Sequence, residues 1–167
     1  YQVAVSLDGY IARHDGSYDW IVMDPAIDFA AMYGEFDAAV MGRKTYEKVL
    51  GFGIPWPHKG RKCYVLSTTR TGANEDVEFF SGDPSDLLET IRKGPGMNIY
   101  CDGGGRVVQA FAQRDLIDRY VVSVIPVLLG DGIPLFLPGR PEQKLRLVQS
   151  IAFPTGLVQL HYEREKG

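Results

Sequence analysis

Asn98–Val108 reads N-I-Y-C-D-G-G-G-R-V-V. An apolar run of strand character enters three consecutive glycines, and a run of helical character leaves them. Glycine loses more backbone freedom on ordering than any other residue, so three in a row belong where the chain must turn sharply or let something approach its backbone. A strand, a glycine turn and a helix start together present unpaired backbone N–H groups at the positive end of a helix dipole, an arrangement that suits a phosphate. The spacing is not G-x-G-x-x-G, so the usual dinucleotide fingerprint is absent. A plain tight turn is the competing reading.

Working outward, the first two thirds of the chain alternate strand and helix. Gln2–Ser6 reads as a strand, followed by the turn Leu7-Asp8-Gly9. Arg13–Asp19 is a polar, Gly-containing loop. Pro25 suits the first turn of a helix running to about Tyr33. Ala38–Met41 is a short apolar strand, and Arg43–Leu50 a helix closed by Gly51. Gly51–Gly60, with two prolines, is loop. Lys62–Leu66 and Val77–Phe80 are strands, and Asp83-Pro84-Ser85 opens a helix with Leu87, Leu88 and Ile91 on one face. After the glycines a helix runs to about Gln113. Arg119–Leu129, Leu145–Phe153 and Leu157–Arg164 then show strand composition with little helix between them.

This pattern predicts an α/β fold: a mainly parallel, twisted sheet with helices on both faces and antiparallel strands at the C-terminus. At 167 residues, with 45% hydrophobic and 23% charged content, one domain spanning 1–167 is expected. A net charge of −3 without a basic run disfavours nucleic acid as a partner. No apolar run is long enough to span a bilayer, so no membrane role is expected. Cys63 and Cys101 fall in strands and read as buried free thiols, pointing to a cytoplasmic protein. Three scattered histidines and no C-x-x-C argue against a zinc site, and no metal is assigned.

In open α/β sheets, ligands bind beyond the carboxyl ends of the strands. Three such exits carry suitable residues. Gly42-Arg43-Lys44-Thr45 puts two cations and a hydroxyl at a helix start, where cations oppose the dipole and an anionic ligand would relieve the conflict. Ser67-Thr68-Thr69-Arg70 offers three hydroxyls and a guanidinium able to fork onto a phosphate. The glycine turn is the third exit. Solvated side chains and a hydroxyl-rich turn are the simpler readings of the first two. A dinucleotide with a 2′-phosphate needs a pyrophosphate site and a separate phosphate site. Three exits offer both, which favours NADPH over NADH.

These motifs resemble the dihydrofolate reductase-like superfamily: M-G-R-K-T-Y-E at Met41–Glu47, G-R-K-C-Y-V-L-S-T-T at Gly60–Thr69 and D-G-G-G-R-V-V at Asp102–Val108. S-L-D-G-Y-I-A at Ser6–Ala12 and P-V-L-L-G-D-G-I-P-L-F at Pro126–Phe136 are similar to one branch, the reductase domain of bifunctional riboflavin-biosynthesis deaminase–reductases and its stand-alone relatives. The resemblance implies that Gly42, Arg43, Lys44 and Thr45 bind the adenosine half of NADPH, and that Ser67, Thr68 and Thr69 hold its 2′-phosphate region. Gly103, Gly104, Gly105, Arg106 and Val107 would line the pyrophosphate and nicotinamide side, with a cis peptide expected between Gly103 and Gly104. Ile11 and Ala12 would pack near the nicotinamide, and Arg13–Trp20 would close over the site.

A proton for an imine would come from Asp28 or Asp8, directly or through water, if burial raises the pKa; Asp24 is a rival to Asp28, and the simpler readings are a first-turn acid favoured by the helix dipole for Asp28 and a turn former for Asp8. Trp20 and Tyr46 are candidate pocket walls or core. The chain departs from the branch in lacking D-D-P-x-L after the second strand and the deaminase signatures H-x-E and P-C-x-x-C. The implied function is an NADPH-dependent reductase acting on a small heterocyclic or imine-like molecule. A true dihydrofolate reductase and an NADP-binding module without turnover are the alternatives. A homodimer through the apolar C-terminal strands is expected.

Overall fold

The computed structural model describes residues 1–94, 96 and 98–165. In chain order the elements are β1 (Gln2–Ser6), β2 (Tyr10–Ala12), α1 (Phe29–Gly34), β3 (Ala38–Gly42), α2 (Arg43–Leu50), β4 (Lys62–Leu66), β5 (Gly72–Ala73), β6 (Glu78–Phe80), α3 (Pro84–Arg92), β7 (Ile99–Gly103), α4 (Gly105–Ala112), β8 (Arg119–Ile125), β9 (Ile133–Pro134), β10 (Leu145–Ala152) and β11 (Val158–Arg164). They form two compact units, one of residues 29–114 and one of residues 1–28 with 115–167.

The 29–114 unit is built on a sheet of order β5-β6-β4-β3-β7, in which β6, β4, β3 and β7 run parallel and β5 is antiparallel. The apolar runs of β3 and β4 lack alternation because both faces are covered. Ala39, Met41, Cys63 and Val65 pack on one face with Tyr46 of α2, Val77 and Tyr100. Ala38, Val40, Tyr64 and Cys101 are buried as well and, by the two-residue period of a strand, serve the opposite face. The connections explain this. The chain moves from β3 to its neighbour β4 through α2, then from β6 back across the sheet to β7 through α3; right-handed crossovers in opposite directions leave their helices on opposite faces. Asp83 caps α3 by accepting from the Ser85 N–H at 2.8 Å, with Pro84 in the first turn, as the sequence signals.

The other unit holds a sheet of order β1-β8-β11-β10, with β1 and β8 parallel and the rest antiparallel, and a separate β2–β9 pair. Trp20 packs with Ile125 and Leu157 in its core. β10 is a terminal strand of this sheet and all of it except Ile151 is exposed.

Two sequence expectations change. The helix expected from Pro25 begins only at Phe29. Buried Asp24 accepts from the Ala26 N–H at 2.9 Å and from the Thr155 hydroxyl at 2.8 Å, so residues 24–27 are spent on a turn. No cis peptide bond occurs among the described residues; Gly103 and Gly104 turn the chain by adopting φ of +84° and +80° in succession.

Candidate active site

The exits of β3, β4 and β7 come together in the 29–114 unit because these strands are neighbours. Gly42 pairs with Leu66, so Ser67 follows directly beside the start of α2, and Met41 pairs with Gly103. The register skips Asp102, which is the extra residue of a bulge in β7 immediately before the turn.

The glycine turn has little room for side chains. A Cβ on Gly42 would lie 3.0 Å from Val107 Cγ2, and one on Gly104 would lie 3.2 Å from Thr45 Oγ1. The Thr45 hydroxyl donates to the Gly103 carbonyl at 3.4 Å, tying α2 to the turn. Gly104 stands at the N-cap of α4 and Gly42 at that of α2, and neither helix receives a side-chain cap. The first N–H groups of α4, on Gly105 and Arg106, have no carbonyl four residues back inside the helix to bond.

Behind the bulge lies a residue whose role the sequence did not disclose. His58, 2% exposed, has Nε2 3.3 Å from Asp102 Oδ2. Its ring meets Tyr33 and Trp56 edge-on at centroid distances of 5.6 Å, and Tyr100 at 5.9 Å. Burial pushes the Tyr100 phenol well above its ordinary range, with the Asp102 charge adding to the shift. Asp102 thus lies within hydrogen-bond reach of a buried imidazole. His58 lies in a loop 44 residues away in sequence, and the sequence signal is a histidine preceded by Trp56 and Pro57.

The expected 2′-phosphate corner is organised differently from its reading in sequence. Ser67 is buried, and its hydroxyl oxygen accepts from the N–H groups of Thr69 (3.2 Å) and Arg70 (2.9 Å), so it shapes the loop. Thr68, Thr69, Lys44 and Arg106 are exposed. Arg43 does not stand unopposed at the helix start: its Nη1 donates to both carboxylate oxygens of Glu47 at 2.8 Å. Arg70 reaches the same carboxylate at 3.0 Å. Glu47, which has no separate role in the sequence reading, thus joins Arg43 and Arg70 in this corner.

The remaining candidates lie in the other unit. Ala12 is buried and Ile11 half-buried in β2. Asp28 is exposed and directly precedes α1, so it lacks the burial expected of a proton donor and could deliver a proton only from a solvated position. Asp8 accepts from the Ser6 hydroxyl (2.6 Å) and the N–H groups of Leu129 (3.1 Å) and Gly130 (2.7 Å). The Ser6 bond, with these two, holds its carboxyl below the usual range, the opposite of the shift a proton donor needs. Asp8 therefore braces the loop after β8. Asp24 is held low in the same way, chiefly by the Ala26 N–H. Arg13–Trp20 is folded on itself by Arg13 N–H to Ser17 O and an Arg13–Asp19 ion pair. Trp20 and Tyr46 both sit in cores. Among the described residues no cluster of histidine, cysteine and acid suits a metal, and no helix is long and apolar enough to cross a membrane.

The architecture and site can be set beside known proteins. The RibD C-terminal domain family profile matches residues 1–159. YwjB of Bacillus subtilis strain 168, an uncharacterized protein, is 37% identical over 166 residues, 97% of this chain and 95% of its own. A crystal structure from Shewanella sp. PV-4, of a protein provisionally named for riboflavin biosynthesis, has a TM-score of 0.89 at 33% identity and covers 99% of this chain and 97% of that one. The Thermotoga maritima diaminohydroxyphosphoribosylaminopyrimidine deaminase/5-amino-6-(5-phosphoribosylamino)uracil reductase has a TM-score of 0.75 at 18% identity, over 98% of this chain and 55% of that longer one, a likeness of fold. The fold is of the dihydrofolate reductase-like class. The chain belongs to the RibD C-terminal domain family.

Proposed function

We propose that this chain is an NADPH-dependent reductase of the riboflavin-biosynthesis type, reducing a small heterocyclic or imine-like substrate akin to 5-amino-6-(5-phosphoribosylamino)uracil. One observation carries the reading: three adjacent parallel strands end in a side-chain-free turn at an uncapped helix start and, beside it, a pair of arginines. The names of the Shewanella and Thermotoga proteins support the pathway and the reductase chemistry. Bound NADPH supplies the hydride. Gly103–Val107 bind its pyrophosphate through backbone N–H groups at the start of α4, and the crowding at Gly42 and Gly104 keeps side chains out of that turn. Gly42, Lys44 and Thr45 receive the adenosine half, with Arg43, Arg70, Thr68 and Thr69 on the 2′-phosphate and Ser67 shaping the loop. Ile11 and Ala12 keep the nicotinamide contact, and Asp28 keeps the proton-donor assignment. The reading treats 1–167 as one reductase domain, in line with the span of the family match.

Titration calorimetry tests it. Wild-type protein is expected to bind NADPH more tightly than NADH. Arg43→Ala is expected to weaken NADPH about tenfold, the worth of a charge-assisted pair, and to leave NADH within about twofold. Equal weakening of both removes the 2′-phosphate role. Methotrexate-sensitive turnover of dihydrofolate would replace this reading with a true dihydrofolate reductase. Tight NADPH binding without oxidation against any pyrimidine or pterin would replace it with a binding module.

The reading includes a homodimer through β10. Leu145, Leu147 and Val148 are exposed on this terminal strand, and such an apolar edge is a site for pairing with a second copy. Sedimentation is expected to give a dimer at micromolar concentration, and Leu147→Lys a monomer; a wild-type monomer overturns it.

A further inference from the structure

The acidic end of the M-G-R-K-T-Y-E motif is the least expected part of a phosphate corner. Glu47 places one carboxylate against two guanidiniums from different strand exits, both of its oxygens engaged by Arg43 and Oε1 shared with Arg70. Arg70 also sits over the Phe79 ring, with Cζ 5.8 Å from the centroid, so its position is fixed from a second side. All three charged groups are between one third and one half exposed. The trio carries a net charge of +1 where two unopposed arginines would carry +2. A phosphate dianion approaching the arginines meets a negative charge already on the same donors. If the phosphate takes Nη1 of Arg43, that nitrogen must be released by Glu47 or shared with it, and any other donor of Arg43 still approaches the ligand beside the Glu47 charge.

We propose that Glu47 is a specificity-determining residue, a built-in counter-anion that moderates the preference of this site for a 2′-phosphorylated cofactor. The inference rests on the NADPH reading above. The carboxylate holds the guanidiniums together when no ligand neutralises them, and it lowers the affinity gained when one does. The chain thereby discriminates between phosphorylated and unphosphorylated dinucleotides less sharply than its arginine count suggests. Replacing Glu47 by glutamine keeps the side-chain length and a polar acceptor and removes the charge, so the arginines face the phosphate without competition.

The probes are 2′,5′-ADP, which carries the 2′-phosphate, and 5′-AMP, which lacks it, titrated calorimetrically into the full chain. Glu47→Gln is expected to tighten 2′,5′-ADP about three- to fivefold and to leave 5′-AMP within about 1.5-fold. Its 2′,5′-ADP affinity is also expected to fall more steeply with salt than that of wild type, since more uncompensated charge is screened. Glu47→Asp retains the charge and is expected to show no tightening; Glu47→Ala, a second charge-removing variant, is expected to move with Glu47→Gln. The proposal is overturned if wild type prefers 2′,5′-ADP over 5′-AMP while Glu47→Gln and Glu47→Ala bind it equally or less well. If wild type and both variants bind 2′,5′-ADP no better than 5′-AMP, the NADPH reading itself fails and this inference with it.

Discussion

The glycine corner, where β7 turns into α4, and the arginine corner, where β3 and β4 end, hold their shapes by different means. The first is set by backbone: two successive positive φ values, a bulged Asp102 and a buried imidazole behind it. The second is set by charge: three half-exposed side chains that can exchange partners. Backbone geometry of this kind has one answer, whereas exposed ion pairs are worth little and re-form readily. On the proposed NADPH reading, the first corner would be a rigid seat for the pyrophosphate and the second an adjustable seat for the 2′ position.

The comparison is broken most severely at Gly104. Its φ of +80° with ψ of 124° is closed to side chains, and Thr45 Oγ1 crowds the space. Gly104→Val is expected to cost about 1–3 kcal/mol in strain and to abolish measurable dinucleotide binding, seen by calorimetry alongside a lowered Tm. Next comes His58→Gln, which deprives the part-buried Asp102 carboxylate of its imidazole. A loss of about 1–3 kcal/mol in chemical denaturation is expected, with NADPH and NADH weakened equally, because the glycine corner serves both. Selective loss of NADPH in this variant would erase the distinction between the corners. The smallest effect is on pH. Burial pushes the Cys63 and Cys101 thiols up to about 11, on opposite faces of the sheet that carries both corners. A raised folded-state pKa contributes stability below the unfolded value near 9, lost as pH rises through about 11. Thermal melts are expected to show a shallow alkaline decline over that window, and a thiol reagent at pH 8 to label only unfolded chain.

What was legible in the sequence was whatever depends on neighbours along the chain. The parallel strands announced themselves as unbroken apolar runs, and the three exits by the residues that follow them. The β2–β9 pair, of three and two residues, was too short to show a period. α1 was read too early because nothing in P-A-I-D reveals that Asp24 is occupied by Thr155, 131 residues away. Arg43 and Glu47 are four apart and could have been paired on spacing alone, while Arg70 joins them only through the pairing of β3 with β4. His58 was hidden for a similar reason: it lies in a loop and its partner, Asp102, on a strand 44 residues away.

The division of the chain also has a consequence for its synthesis. Every strand partner within the 29–114 sheet is encoded contiguously, so that unit can assemble as it leaves the ribosome. The nascent Gln2–Ser6 segment, which pairs in parallel with Arg119–Ile125, must wait more than a hundred codons for its mate. During that interval an apolar segment is without its partner, and a chaperone that shields it is expected to raise the yield of soluble protein more than one acting after release.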